Sequence, residues 1–302
     1  MKLANLLTAT LAASLALTCA ACGSDGGSDS GGGSKAAGSL SIDKAKCSEL
    51  GQKYSGLKGQ KLTVGISPAP ANYSASDPKN PSNIIGIEPD LLDAAGSCLG
   101  FTTTYSKLDF SGLVPALQSK RIDLVAAGMY SSAERVKQVD FVNYMKASEA
   151  SLVAAGNPKK LKSLTDVCGV TAALVVGTVE NAILDKQGKQ CTSSGKKPLE
   201  TLSFPSIDRA QSALAQGEAD IVLTDAGVAA YLAKRAPDKV EVGFALPTQF
   251  NFGFAVNKKA TELRDALNAA LQQMYAEGSL QKAVTHWGFS TTQELEPAIV
   301  TD

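Results

Sequence analysis

The sequence predicts an α/β protein built as two similar lobes joined by two crossing strands, and three observations carry that expectation. Apolar runs of strand length alternate with helix-period segments along most of the chain, the pattern of helices layered on sheets. A helix–loop–strand–loop unit occurs twice, LQSKRIDLVAAG at 117–128 and LAQGEADIVLTD at 214–225, which points to two lobes of like construction. Two further runs, Ser148–Ala155 and Phe250–Val256, read as strands taking the chain from one lobe to the other and back.

The front of the chain bounds the compartment. Lys2 is followed by an apolar run, Leu3–Ala21, diluted by Asn5, Thr8, Thr10, Ser14 and Thr18, which is signal-peptide grammar rather than a membrane span. Residues 1–21 are therefore expected to be a signal peptide. The run ends in Cys19-Ala20-Ala21-Cys22-Gly23, which resembles a lipoprotein cleavage box with Cys22 as the lipidated residue. Cys19 departs from it, and cleavage before Cys19 is the alternative. Ser24–Ser39 is nearly all Gly, Ser, Ala and Asp, so 22–42 is expected to be a lipidated flexible tether. That arrangement implies a globular body anchored at the outer face of the cell membrane.

Six cysteines are present. Setting aside Cys19 and Cys22 leaves Cys47, Cys98, Cys168 and Cys191, an even number that suggests two disulfides in an exported protein. Three pairings are possible; Cys47–Cys98 with Cys168–Cys191 is favoured because each pair then lies within one lobe. With no CxxC beyond the signal region and His286 as the single histidine, no zinc site is expected. Formal net charge is zero and there is no basic block, so no nucleic-acid partner is implied.

In chain order, a helix is expected around Asp43–Tyr54, a strand at Lys61–Ile66, and then a long proline-broken loop through Tyr73 to Pro81, placed over any cleft at the strand ends. Pro89–Leu99 is a helix with Leu91, Leu92, Ala95 and Leu99 inward and Gly100 as its stop. Phe101–Tyr105 is a strand. Phe110 is either core or an exposed stacking platform. Ile122–Ala127 is a buried strand, and Ser131 and Ser132 precede a helical start where Arg135 can fork onto a carboxylate. The plainer reading pairs Arg135 with Glu134 or Asp140.

In the second lobe, a strand-like run ends at Gly177-Thr178-Val179, a candidate nest of N–H donors before a helix Glu180–Lys186. Gly188–Pro198 reads as a polar loop holding Cys191. Asp225 ends a strand and either holds an ammonium or caps the following helix; one oxygen can serve each task. Leu263–Tyr275 is amphipathic and Gly278 ends it. His286 beside Trp287 is expected to be packed, and 291–302 is expected to be a tail.

Taken together, LTVGI, GIEPDLLDAAGSCLG, FSGLVPALQSKRIDLVAAGMYSSAERVKQVDF, VGTVENAI, ADIVLTDAGVAAYL, FGFAVNKK and GSLQKAVTHWGF resemble the extracellular solute-binding proteins of family 3, receptors of polar amino-acid ABC importers. The resemblance covers about 60–290. It implies a periplasmic-binding-protein-like fold of type II, with lobe 1 at 43–149 plus 253–290 and lobe 2 at 150–252. It also implies a monomer that takes no cofactor and delivers a small zwitterion to an ABC permease. By that likeness Arg135 clamps the ligand α-carboxylate, Gly128 and Tyr130 lie on the loop that supplies backbone donors, and Phe110 stacks on the ligand. Thr178 and Val179 donate to the carboxylate, and Asp225 receives the α-ammonium.

Two departures stand out. Tyr130 replaces a small hydroxyl residue, and the first loop (SPAPANY) lacks an acid, which argues against a lysine- or arginine-like side chain. Tyr73, Phe110 and Tyr130 can equally box a quaternary or aromatic group. Two other roles stand beside transport: an enzyme on the same fold, with Glu180 the acid to nominate and no paired carboxylates in view, and a sensory binding domain.

Overall fold

The computed structural model describes residues 40–67 and 73–302; the expected signal peptide, Cys22 and most of the expected tether lie outside them. The first lobe opens with α1 (Lys44–Lys53), β1 (Lys61–Ile66), a small hairpin of β2 (Ala75–Ser76) and β3 (Ile84–Ile85), and α2 (Ile87–Leu99). It continues through β4 (Thr102–Lys107), α3 (Leu113–Gln118), β5 (Leu124–Val125), α4 (Ala133–Val136) and β6 (Asp140–Lys146). The second lobe holds β7 (Glu149–Ala154), β8 (Thr171–Val175), α5 (Val179–Ser193), β9 (Glu200–Phe204), α6 (Ile207–Ala215), β10 (Ile221–Asp225), α7 (Ala226–Arg235) and β11 (Val240–Leu246). The chain then returns to the first lobe as β12 (Asn251–Val256), α8 (Thr261–Ala276), α9 (Ser279–His286) and β13 (Glu294–Val300).

Each lobe is a mixed sheet with helices packed on it. The first sheet has strand order β13-β6-β12-β5-β1-β4 and the second β11-β7-β10-β8-β9. Within them β1 runs parallel to β4 and β5, and β8 runs parallel to β9 and β10. The central parallel strands β1, β5, β8 and β10 are buried along most of their length, as their apolar runs require, while the edge strands β4 and β9 are only partly buried. The two strands expected to cross between lobes instead belong wholly to one sheet each: β7 pairs β10 and β11, and β12 pairs β5 and β6. The crossings are the short segments 147–148 and 247–250 between those sheets.

Helix ends follow local chemistry. The Asp43 carboxylate accepts from the N–H groups of Ala45 and Lys46 and starts α1, as an N-cap should. Gly100, at φ +83°, ends α2 with its N–H on the Gly96 carbonyl, a conformation that suits glycine. One face of α8 (Leu263, Ala266, Leu267, Ala270, Leu271 and Met274) is buried.

Three expectations are corrected. The end of the expected tether is packed, since Ile42 is buried in the main core; an isoleucine beside a helix cap has apolar surface to lose. Residues 291–302 are not a tail: a short 3₁₀ turn leads into β13, which pairs antiparallel with β6. Pro297 disguised the strand, but at a sheet edge its missing N–H has no ladder partner to lose. The polar loop expected at Gly188–Pro198 is mostly helix, because α5 runs on to Ser193 and turns Gln187 and Cys191 inward. Both favoured disulfides are present, Cys47–Cys98 tying α1 to α2 and Cys168–Cys191 tying α5 to the chain before β8.

Candidate functional site

Where the parallel strands of the two lobes end, a cavity of about 90 Å³ opens between them. Ser67 follows β1 and Gly128 follows β5 on one side, while Val175 and Asp225 close β8 and β10 on the other. All eight residues nominated from the sequence (Tyr73, Phe110, Gly128, Tyr130, Arg135, Thr178, Val179 and Asp225) line it. The C-terminal ends of the strands are where open α/β sheets place ligands.

Asp225 is at the centre. Its Oδ1 accepts from the N–H groups of Gly227 and Val228 at 2.8 and 3.1 Å, capping α7, and from the Tyr73 hydroxyl at 2.7 Å. Its Oδ2 accepts from the Tyr130 hydroxyl at 3.1 Å. Oδ1 carries the cap, so the capping reading is met, and Oδ2, with the Tyr130 hydroxyl as its one bond, keeps room toward the cavity. Burial pushes the Asp225 carboxyl up to about 6 against the pull of those four hydrogen bonds. Tyr73 and Tyr130 reach from the first lobe, so both bonds cross the cleft. Their rings are fixed by Phe252, Phe289 and Phe250.

Arg135 stands opposite. Ser132 caps the short α4 and its hydroxyl accepts the Arg135 N–H. The guanidinium lies 5.2 Å from the centre of the Phe110 ring and donates to the Tyr130 carbonyl at 3.0 Å and to the Gly177 carbonyl of the second lobe at 2.9 Å. The plainer sequence reading fails: Asp140 is taken by Arg264 and Lys258, and among the described residues Arg135 forms no ion pair. Desolvation holds its pKa below the usual arginine value. Phe110 is half-buried against the core and also lines the cavity.

Gly128 has a different use from the one the resemblance implies. Its N–H donates to Glu88 Oε1 at 3.0 Å, so it is not an open donor. What it gives the cleft is a missing side chain: a Cβ there would meet the Tyr73 ring at 3.1 Å. Glu88, which sequence reasoning missed, is fully buried and also accepts from Tyr144 at 2.9 Å and from Ser74 at 2.8 Å. Burial raises it to about 7. The signal was available as two acids, Glu88 and Asp90, in the first turn of a helix whose other buried residues are apolar or small.

Thr178 precedes α5 and its hydroxyl donates to the Val175 carbonyl at 2.8 Å. Beside it the structure brings together what the sequence reading did not see, a pair of carboxylates. Glu180, in the first turn of α5, lines the cavity. Glu149 sits opposite Asp225 in the β7–β10 register, on the same sheet face. Both are buried, and among the described residues Oε2 of Glu180 and both carboxylate oxygens of Glu149 make no well-formed hydrogen bond, although the Tyr130 hydroxyl and the Glu180 carboxyl lie beside the Glu149 carboxyl. Burial pushes both up, and their mutual repulsion adds to the rise at Glu149. A lone acid at the start of a buried strand was the signal for Glu149. His286 is exposed, edge-on to Trp287 and outside the cavity lining. Among the described residues no cluster of His, Cys, Asp and Glu suits a metal ion, and no helix is long and apolar enough to cross a membrane.

Residues 62–291 match the bacterial extracellular solute-binding proteins, family 3, and the chain belongs to that family. It is 30% identical over 230 residues to the arginine-binding protein ArgT of Corynebacterium glutamicum, covering 75% of this chain and 74% of that protein. Among solved structures it resembles an ancestral arginine-binding protein bound to arginine, with TM-score 0.70 and 31% identity over 77% of this chain and 99% of that one. It also resembles the ancestral amino acid-binding protein AncCDT-1, a precursor of cyclohexadienyl dehydratase, with TM-score 0.66 and 28% identity over 80% of this chain and 98% of that one. The fold is thus that of the type II two-lobed binding proteins.

Proposed function

We propose that this protein captures an α-amino acid between its lobes outside the cell membrane and delivers it to the permease of an ABC importer, tethered through a lipid on Cys22. The observation that carries the reading is a guanidinium and a carboxylate on opposite lobes of one cavity. Arg135 has five N–H donors, and its two bonds to carbonyls leave donors for an α-carboxylate. Oδ2 of Asp225 receives the α-ammonium, with Tyr130 between the two groups, its carbonyl on Arg135 and its hydroxyl on Asp225. Thr178, Val179 and Phe110 complete the walls. Relatives that bind amino acids support the choice of ligand class.

Titration calorimetry of ligand-stripped protein against the common amino acids tests this. Arg135→Ala removes the clamp and is expected to weaken binding at least a hundredfold; an unchanged Kd in that variant refutes the assignment. A second reading, turnover on the same fold, is favoured by one observation, Glu180 buried beside Glu149. It requires the ligand to be chemically altered, which NMR of the ligand before and after incubation reads directly.

A further inference from the structure

Resting on the amino-acid reading, we infer that Glu180, backed by Glu149, receives a second positive charge on the ligand, so that the protein selects basic amino acids over neutral ones.

The charge count of the cleft leads there. A zwitterion placed between Arg135 and Asp225 matches each end with its opposite, and Glu149 and Glu180 are left over. Their unpartnered oxygens are buried away from water. A carboxylate in that condition is unfavourable by far more than a typical hydrogen bond is worth. Among the described residues neither acid is in an ion pair. Arg135 favours the ionised form of Glu180 from beyond contact, and that guanidinium is the one the α-carboxylate needs. The groups facing Glu149 are Glu180, Asp225 and Tyr130, and none of them is positive. Glu180 lines the cavity beside Thr178 and Val179, so a guanidinium or ammonium extended from the ligand's α-carbon reaches it within the same cleft. The acid that the first loop lacks is therefore supplied by the second lobe. Without such a ligand, protons are the counter-ions the pair can recruit, and a cation displaces them.

Three measurements test this, all by calorimetry with L-arginine, L-lysine and L-glutamine as probes. In the wild-type protein at pH 7.5 the two basic amino acids are expected to bind at least tenfold more tightly than glutamine. The ratio of arginine to glutamine affinity is expected to rise with pH, as the pair loses its proton; Asp225, raised to about 6, titrates as well, but it serves both ligands alike. Glu180→Gln is expected to lower arginine affinity about ten- to hundredfold, the worth of a charge-assisted hydrogen bond, and to lower glutamine affinity by less, so that the arginine-to-glutamine ratio falls. Glutamine binding as tightly as arginine to the wild type overturns the inference and leaves the amino-acid reading standing. Binding of no amino acid overturns both. A folded Glu180→Gln protein with arginine affinity within twofold of wild type also overturns it. Should that variant not fold, the wild-type ratios decide.

Discussion

Replacing Glu88 with glutamine should stabilise the ligand-free protein, and increasingly so as pH rises. The carboxyl is fully buried and its pKa stands at about 7, against 4.5 in the unfolded chain. Between those values the folded protein holds a proton that the unfolded chain has released. The unfolded state binds fewer protons there, so stability falls as pH increases through the window. A shift from 4.5 to about 7 corresponds to about 3 kcal/mol lost once the pH exceeds 7. For a protein of this size that is a fall in Tm of roughly 6–12 °C.

Glutamine keeps the geometry. Its Oε1 can accept from the Gly128 N–H and the Tyr144 hydroxyl, and its Nε2 can donate to the Ser74 oxygen, which the rotatable hydroxyl permits. It has no charge to desolvate. Calorimetric scans of wild type and Glu88→Gln from pH 4.5 to pH 8, without ligand, should coincide at the acid end. They should diverge to a variant advantage of about 3 kcal/mol at pH 8. Asp225, Glu149 and Glu180 shift in the same direction, but they are common to both proteins and cancel in the comparison. Two curves that stay parallel across the range would refute the reasoning.

Gly86→Ala should be damaging well away from the cavity lining: Gly86 has φ +141°, and a Cβ there would collide with the Tyr73 carbonyl. A loss of about 2 kcal/mol or more in chemical denaturation is expected. Amino-acid binding should weaken about tenfold by calorimetry, since Tyr73 is one of the two tyrosines that hold Asp225 from across the cleft. Removing Cys47–Cys98, which spans 51 residues, should lower stability by about 4 kcal/mol on loop-entropy grounds, and removing Cys168–Cys191, which spans 23, by about 3. Denaturation of the paired-alanine variants reads that ordering, and equal losses would tie the effect to local packing instead.

The two-lobed α/β plan was legible because it rests on period and repetition, which are local properties of sequence. The nominated cleft residues were legible because Arg135, Thr178 and Asp225 stand at strand ends and helix starts, where backbone geometry fixes direction. Glu88 and Glu149 were not, because their importance comes from partners far along the chain: Glu88 meets Gly128 and Tyr144, and Glu149 meets Asp225 through strand pairing. The strand β13 was missed for a related reason. An edge strand needs only one neighbour, so its own sequence can carry a proline and little apolar alternation.

Why a ligand should close these lobes follows from the same charges. Three hydrogen bonds already cross the cleft: Tyr73 and Tyr130 donate to Asp225, and Arg135 donates to the Gly177 carbonyl. They favour approach. Approach also strips water from Asp225, Glu149 and Glu180, and all three carboxyls are driven toward their neutral forms. Where the pH leaves these carboxyls ionised the two effects oppose one another, and the empty closed arrangement then holds negative charge without a counter-ion. A ligand that brings positive groups to those oxygens removes the opposing effect and leaves the favourable bonds in place. Its affinity is therefore greater for the closed arrangement than for the open one, and that difference is what a population shift requires. On the reading proposed above, a neutral molecule of the same shape would fill the cavity without relieving the carboxylates, and the selection of ligand and the closure of the lobes become one electrostatic event.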